Sequence, residues 1–230
     1  MTLRIILAGC SGRMGTEVSE YCRKRQGFQI VAGYSRHQTV ENYPAFTVLA
    51  QCSVEADVLV DFSQPEAVHQ LLPYCIRNRI PIVLGVTGYS QQQMDEILSA
   101  CESIPIFRSA NFSIGANVLL KLVRTAAPLL VDGFDANIIE RHHKNKLDSP
   151  SGTALLLSRT LGKQSEIKSL RSGTTAGEHT VLFAGADEVL TLSHRADSRK
   201  VYAAGAMQAA RFIANVNRPG LYGMEDLLQI

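Results

Sequence analysis

From Glu140 to Ala154 the chain reads Glu-Arg-His-His-Lys-Asn-Lys-Leu-Asp-Ser-Pro-Ser-Gly-Thr-Ala, so cations, imidazoles and a helix start are packed into one short stretch. These residue types suit a small dianion. Lys144 and Lys146 supply positive charge. Ser149-Pro150 reads as an N-cap followed by the first helical residue, which would leave the amides of Ser151, Gly152 and Thr153 to face the anion. His142 and His143 can exchange a proton near neutral pH. A solvated basic loop ahead of a capped helix would have the same composition, so the stretch takes its meaning from the rest of the chain.

A second chemical signal lies near the amino end. Leu3 to Ala8 is a short apolar run of the kind that forms a strand buried on both faces of a parallel sheet. Gly9-Cys10-Ser11-Gly12-Arg13-Met14-Gly15 follows at once, and Thr16 to Lys24 then reads as a helix. A strand, a glycine-rich turn and a helix in succession provide a tight bend, close backbone approach to a pyrophosphate and helix amides aimed at its charge. The spacing G-x-x-G-x-x-G departs from the more usual G-x-G-x-x-G, and a lone match often marks only a turn. Here the strand and helix on either side point to a dinucleotide site. Phe28 to Tyr34 is the next strand, and an NAD site would usually place an acid at its end for the adenosine ribose. This chain has Ser35-Arg36-His37 instead. With no acid to repel a 2′-phosphate and Arg36 available to pair with it, NADPH is expected to serve at least as well as NADH. The plainer reading has Arg36 stacking on adenine or facing water.

The elements that must carry these groups alternate. Ala56 to Phe62 reads as a strand ending in Asp61-Phe62-Ser63, Pro65 to Asn78 as a helix, and Pro81 to Val86 as a strand. Gly85-Val86-Thr87-Gly88 falls at the carboxyl edge of the sheet, where open α/β folds bind ligands, and Thr87 can hydrogen-bond a nicotinamide or ribose there. Ser90 to Cys101 reads as a helix and Ile104 to Arg108 as a strand, after which Ser109-Ala110-Asn111-Phe112 reaches the same edge. This pattern predicts a dinucleotide-binding domain over residues 1–112. Gly115 to Leu130 has amphipathic helical spacing, and the pattern then changes. Ala136 to Ile139, Thr180 to Phe183 and Val189 to His194 read as strands, and Ala154 to Leu161 as a helix. This suits an α+β second domain over residues 113–202 with a mixed or antiparallel sheet. Val201 to Val216 returns to helix and Leu221 to Leu228 forms a short tail; these are expected to rejoin the first domain as residues 203–230, leaving a cleft between the two.

Composition restricts the function classes. At 230 residues the chain can build one large domain or two small ones without staples. A formal net charge of +2, with dispersed basic residues, argues against a nucleic-acid or membrane surface over the whole molecule. Cys10, Cys22, Cys52, Cys75 and Cys101 are odd in number and show no CxxC spacing, which suggests reduced thiols in a cytosolic protein and speaks against metal ligation. The amino end lacks the pattern of a signal peptide, and no apolar run approaches membrane-spanning length.

Taken together, the sequence resembles the 4-hydroxy-tetrahydrodipicolinate reductase (dihydrodipicolinate reductase) family of the diaminopimelate and lysine pathway. The resemblance covers nearly the whole chain. It rests on Gly9 to Gly15, Asp61-Phe62-Ser63, Gly85 to Gly88, Ser109 to Ser113, and above all on Glu140 through His142-His143, Lys146 and Asp148 to Pro150-Ser151-Gly152-Thr153-Ala154. It implies a cytoplasmic homotetramer in which a Rossmann-like domain binds NADPH or NADH, while an α+β domain binds a cyclic dicarboxylate and makes the subunit contacts. It further implies that His142 and Lys146 are catalytic and that His143, Gly152 and Thr153 hold the substrate's carboxylates. The implied cofactor contacts are Gly9, Cys10, Ser11, Gly12, Arg13, Met14, Arg36, Gly85, Val86, Thr87, Ser109, Ala110, Asn111 and Phe112. Of the two catalytic positions, a lysine ammonium is charged throughout the neutral range whereas histidine titrates near 6.5. Lys146 is therefore expected to position the substrate and to be the stronger candidate for protonating it. Ser35 stands where many members carry an acid. The connections between Tyr34 and Val54 and from Gln164 to Gly173 are short, which is expected to alter subunit contacts or cleft closure. Two rivals share these features: another two-domain NAD(P)H oxidoreductase acting on a small acid, such as an aspartate or homoserine dehydrogenase-like enzyme, and a redox-sensing or scaffolding protein that has kept the nucleotide fold but lost turnover.

Overall fold

The computed structural model describes residues 1–36, 42–130, 132–162 and 165–229. In chain order the elements are β1 (Leu3–Ala8), α1 (Arg13–Lys24), β2 (Phe28–Tyr34), β3 (Ala45–Phe46), β4 (Val58–Asp61), α2 (Val68–Asn78), β5 (Ile82–Leu84), α3 (Gln91–Ala100) and β6 (Pro105–Arg108). They continue with α4 (Ile114–Ala126), β7 (Asp135–His142), α5 (Gly152–Leu161), β8 (Glu166–Arg171), β9 (Gly177–Ala184), β10 (Val189–Ala196), α6 (Lys200–Ile213), β11 (Gly220–Tyr222) and α7 (Met224–Leu228). Two units result, Met1–Phe112 with Tyr202–Ile230, and Ser113–Val201.

The first unit is a Rossmann-like α/β layer. Its seven strands lie in the order β11-β6-β5-β4-β1-β2-β3, and every pairing is parallel. Parallel strands covered on both faces must be apolar throughout, and Ile5, Ile6, Leu7, Val58, Leu59, Val60, Ile82, Val83 and Leu84 are all fully buried. Burying each such side chain contributes about 1.5–3 kcal/mol, which offsets the ordering of the chain. The sheet order reverses between β1 and β4, the switch point at which open α/β sheets leave a crevice for ligands. Helix α6 belongs to this unit from Tyr202 onward. Its Gly205 lies so close to the Phe112 carbonyl that an added Cβ would come within 1.8 Å of the oxygen. Further along, Phe212 packs edge-on to Phe107, and Arg211 lies over the Phe28 ring.

The second unit carries a mixed sheet in the order β10-β9-β7-β8, with β7 parallel to β8 and antiparallel to β9. One face is closed by α4 and α5, where Leu119, Val123, Ala154, Leu157, Ile138, Val181 and Phe183 form a buried cluster. The other face leaves Ile139, Leu170 and Val189 exposed.

The structure departs from the sequence reading in several places. Strand β7 runs to His142 rather than stopping at Ile139, so Glu140, Arg141 and His142 belong to a strand and not to a basic loop. Strand β8 occupies a segment read as a short connection; its Glu-Ile-Lys-Ser-Leu-Arg sequence alternates exposed and half-buried positions, an edge-strand pattern too polar to stand out. Helix α1 begins at Arg13 instead of Thr16, and Pro65 opens a short 3-10 turn, Pro65–Ala67, ahead of α2. The two-residue β3 and three-residue β11 are set by pairing with longer neighbours.

Candidate active site

In the first unit, turns from four strands meet at one sheet edge. The Gly9 amide donates to the Tyr34 carbonyl (2.8 Å), Phe62 to Ala8 (3.0 Å), Gly85 to Asp61 (2.9 Å) and Ser109 to Leu84 (3.2 Å), so each turn is tied to its neighbour strand. Gly9 has φ +75°, and a Cβ there would lie 2.6 Å from the Phe62 carbonyl carbon; a Cβ on Gly85 would lie 2.3 Å from the Phe62 ring. Both glycines are thus required by the approach of the Asp61-Phe62-Ser63 turn. Phe62 also packs edge-on to Phe112 at 5.8 Å.

The start of α1 suits a phosphate group. Its N-cap, Gly12, provides no side-chain cap and the first turn contains no acid, whereas α3, α4 and α5 are capped by Ser90, Ser113 and Ser151. Ser11, Gly12 and Arg13 are exposed there, Met14 is half-buried, and Cys10 is buried with its thiol near the Tyr34 carbonyl at 3.7 Å. At the end of β2, Ser35 is buried and Arg36 is exposed, with its guanidinium donating to Gln64 Oε1 at 2.6 Å. His37 lies outside the described residues. Val86 is buried and Thr87 exposed after β5, and Ala110 is exposed after β6, beyond Ser109, whose Oγ accepts from the Asn111 amide at 3.1 Å. Of the fourteen positions expected to touch the cofactor, twelve therefore lie in turns that leave the carboxyl ends of β1, β2, β5 and β6, and Arg13 and Met14 open helix α1.

Sequence reasoning gave no role to three polar groups near this edge. Asp61 Oδ1 accepts from the Ser63 amide (2.8 Å) and hydroxyl, while Asp61 Oδ2, Tyr89 Oη and Arg108 Nε are buried without hydrogen-bond partners. Burial pushes the Asp61 carboxyl up to about 6, against the pull of the Ser63 hydrogen bonds. A buried acid at the end of an apolar strand was the available signal.

In the second unit, β7 aims His142 and Glu140 into the same buried face as Ala136 and Ile138. Glu140 is completely buried and accepts from two donors, the Arg171 guanidinium at 2.7 Å and the Ser151 amide at 3.3 Å, while His142 Nδ1 lies within ion-pair distance of its other oxygen. Burial opposes ionisation of Glu140, but the Arg171 hydrogen bond is the leading opposing influence, with the Arg171 charge acting in the same direction, and the carboxyl is held below its ordinary range. Burial lowers His142, and Lys146 and Arg171 lower it further, against the raising influence of Glu140. The His179 ring stands edge-on to His142 at 5.1 Å and is pushed down to about 4, chiefly by burial and then by His142. Its Nε2 lies 3.0 Å from Ser151 Oγ, which accepts from the Ala154 amide at 3.2 Å; a neutral His179 can take the hydroxyl proton.

This geometry corrects the expected helix start. The N-cap of α5 is Ser151, not Ser149, because the Ser151 side chain makes the bond to the third helical amide and its own backbone is extended. The Ser151 amide is directed to Glu140 and is not available to an anion. Gly152 and Thr153 are the first two helical residues; Gly152 is exposed and, by its position, has no intrahelical acceptor for its amide. Lys146 Nζ pairs with Asp148 Oδ1 at 2.7 Å, and Arg171 also donates to the Asp148 carbonyl at 2.6 Å, joining the loop to the Glu140 network. His143 is half-buried, with its amide on the Thr175 carbonyl at 2.8 Å. Glu140, His142 and His179 offer ligand atoms within 4.8 Å of one another. However, Glu140 is already bound by Arg171 and the Ser151 amide, and His179 by Ser151, so two of the three groups are committed to protein partners. Glu140, Arg171 and His179 had no assigned part in the sequence reading. For Glu140, the alternation Ala136, Ile138, Glu140, His142 was the signal that could have found it.

Comparison with known proteins agrees with both halves of this picture. Residues 3–112 match the family profile described as "Dihydrodipicolinate reductase, N-terminus" and residues 115–228 the one described as "Dihydrodipicolinate reductase, C-terminus". The 4-hydroxy-tetrahydrodipicolinate reductase of Caldanaerobacter subterraneus subsp. tengcongensis is 40% identical over 251 aligned positions, covering 100% of this chain and 99% of that protein. The enzyme of the same name from Clostridium novyi is 40% identical, covering 98% of each. Among solved structures, the dipicolinate-bound dihydrodipicolinate reductase from Paenisporosarcina sp. TG-14 superposes with a TM-score of 0.85 at 24% identity, over 98% of this chain and 99% of that one. With both family profiles matched end to end around a nicotinamide-dinucleotide fold, this chain belongs to the dihydrodipicolinate reductase family.

Proposed function

We propose that the protein reduces 4-hydroxy-tetrahydrodipicolinate, by way of dihydrodipicolinate, to tetrahydrodipicolinate with NAD(P)H, in diaminopimelate and lysine biosynthesis. The observation that carries this reading is the joining of His142, Lys146 and the start of α5 through Glu140, Arg171 and Asp148. One network holds both a proton-transfer group and helix amides suited to a carboxylate.

The reduced nicotinamide, when bound, supplies the hydride. Gly9 to Met14 are assigned to its diphosphate, Arg36 to the adenosine end, and Gly85 to Thr87 with Ser109 to Phe112 to the nicotinamide side. An exposed Arg36 beside a buried Ser35, in place of an acid, supports use of NADPH at least as well as NADH. On the substrate side, Gly152, Thr153 and His143 are assigned to the carboxylates. Hydride addition to a conjugated imine builds negative charge that a proton must neutralise. Burial and neighbouring cations lower His142's hold on a proton, which favours the Lys146 ammonium as the group that stabilises this charge and donates the proton. The open face of the β10-β9-β7-β8 sheet, with Ile139, Leu170 and Val189 exposed among polar neighbours, supports a homotetramer assembled through this unit. All five cysteines are free thiols, which fits a reducing, cytoplasmic setting, and no described helix is long and apolar enough to cross a membrane.

Purified protein is expected to consume NADPH when given the product of the preceding synthase reaction. Consumption followed by NADPH absorbance should require both reactants, and failure to turn over with either nicotinamide cofactor would refute the assignment.

A further inference from the structure

The carboxylate of Glu140 has no contact with solvent, yet three nitrogen groups from three different places in the second unit converge on it, two as hydrogen-bond donors and one at ion-pair distance. His142 Nδ1 comes from the same strand, the Arg171 guanidinium from β8, and the Ser151 amide from the residue just before the first turn of α5. A carboxylate needed only to neutralise Arg171 would have no reason to hold an imidazole and a helix cap as well. We propose that Glu140 is the positioning residue of the reduction: it fixes the His142 ring as the Nδ1–H tautomer and, through the Ser151 amide, holds the carboxylate-binding start of α5 in the same frame. This inference rests on the dicarboxylate-reductase reading given above.

The tautomer follows from hydrogen-bond chemistry. An ionised carboxylate only accepts, so the His142 nitrogen beside it must carry a proton, and Nε2 is left as the nitrogen through which His142 takes up or gives a proton. This is the arrangement by which a buried acid orients a catalytic imidazole in other enzymes. The second link is mechanical. Ser151 is held at both its amide, by Glu140, and its hydroxyl, 3.0 Å from His179 Nε2, while that hydroxyl caps the Ala154 amide. Displacement of the carboxylate would therefore loosen the residue that precedes Gly152 and Thr153.

The groups facing His142 come from several elements. They are Glu140 on its own strand, Arg171 on β8, His179 on β9, and Lys146 and Asp148 in the following loop, while His194 on β10 acts on His179. Of these, Glu140 raises His142, whereas Lys146 and Arg171 lower it. Removing the Glu140 charge without changing its shape, by Glu140→Gln, should move His142's titration down by about 1–3 pH units, the usual reach of an adjacent opposite charge. The limb of the kcat/KM profile that reports His142 should move with it. Turnover should fall about 10- to 100-fold, as for a catalytic group displaced by ~1 Å. The KM for the dicarboxylate should rise as well, because the α5 start is held less firmly.

Two measurements decide the matter. In wild-type protein, nitrogen-15 NMR of the imidazoles should show neutral His142 protonated at Nδ1; a ring protonated at Nε2 overturns the proposal, and no variant has to fold for this result. In Glu140→Gln, the NMR titration of His142 and calorimetric binding of pyridine-2,6-dicarboxylate are compared with wild type. A lower titration point with weaker binding supports the proposal. A variant that melts earlier but keeps the wild-type His142 titration and pH profile shows Glu140 to be merely structural. Neither NMR nor calorimetry depends on turnover, so a wild-type protein that fails to oxidise NADPH would refute the assigned reaction while leaving the role of Glu140 to be judged separately.

Discussion

Gly15→Ala tests whether the amino-terminal turn works as a nucleotide cradle through its backbone. Gly15 is buried in the first turn of α1, and a Cβ at that position would lie 2.3 Å from the Gly9 carbonyl oxygen, 2.5 Å from the Cys10 oxygen and 2.6 Å from the Cys10 carbonyl carbon. All three are backbone atoms, so no side chain can swing aside to make room. Restoring ordinary contact near 3.5 Å requires the turn to move by roughly 1 Å. Overpacking of this kind costs about 1–3 kcal/mol. In the free protein the turn can relax to relieve the strain, but binding reimposes it if the pyrophosphate needs the original backbone path. At 1.4 kcal/mol per tenfold, the Kd for NADPH should rise by about 5- to 150-fold. Gly162→Ala is the control. It lies at the end of α5 with φ +67° and nothing within 4 Å of the added Cβ, so it should cost about 1–2 kcal/mol of stability through strain alone and leave NADPH affinity unchanged. Affinity would be measured by calorimetry, with circular dichroism and thermal melting to verify folding. A folded Gly15→Ala protein with wild-type affinity for NADPH would refute the argument, because the turn would then be shown either to absorb the methyl group or not to touch the nucleotide.

Three further outcomes are expected. Lys146→Ala should lower kcat by about 100-fold or more, the range for a lost acid–base or charge-stabilising group; unchanged turnover in steady-state assays would remove its role. Arg36→Ala should raise the Kd for NADPH much more than that for NADH in parallel titrations, and equal losses would show that Arg36 does not read the 2′-phosphate. Asp61, pushed up to about 6 when folded against an ordinary value near 3.9, binds its proton more tightly in the native state. Its contribution to stability is therefore fully present below about pH 4 and is lost as pH rises through about 6. Asp61→Asn should remove this part of the pH dependence, at most about 3 kcal/mol between those limits. Urea midpoints for both proteins at several pH values would show it, and parallel wild-type and variant curves would contradict the burial argument.

The sequence was most readable where function depends on local backbone. The turn from Gly9 to Gly15 and the short apolar strands β1, β2, β5 and β6 require little beyond their own residues and immediate neighbours, and their places at one sheet edge follow from the βαβ connections. The centre of the second unit was less readable because its partners are distant in sequence. Glu140 meets Arg171 across strand β8, whose polar alternation hides it, and Ser151 meets His179 across a helix-to-strand return. Apolar periodicity marks a strand only while its buried face is greasy; on β7 that face continues as Glu140 and His142, so the pattern was lost at the point where chemistry begins.

The same long-range pairings change the charge balance of the stretch. Read in isolation it is rich in cations, but Arg141 is paired with Glu178 at 2.6 Å and Lys146 with Asp148 at 2.7 Å, while Lys144 is exposed. Arg171, brought in by β8, is taken up by Glu140. A dianion would therefore meet less bare charge here than the composition suggests, with Lys144 the remaining cation of the stretch. On the proposed reading it would compete with Asp148 for Lys146, and its recognition would depend on the placement of the first amides of α5. Glu140 and His179 hold Ser151 from its amide and its hydroxyl, so on the proposed dicarboxylate reading specificity would be set in part by buried groups behind the binding amides.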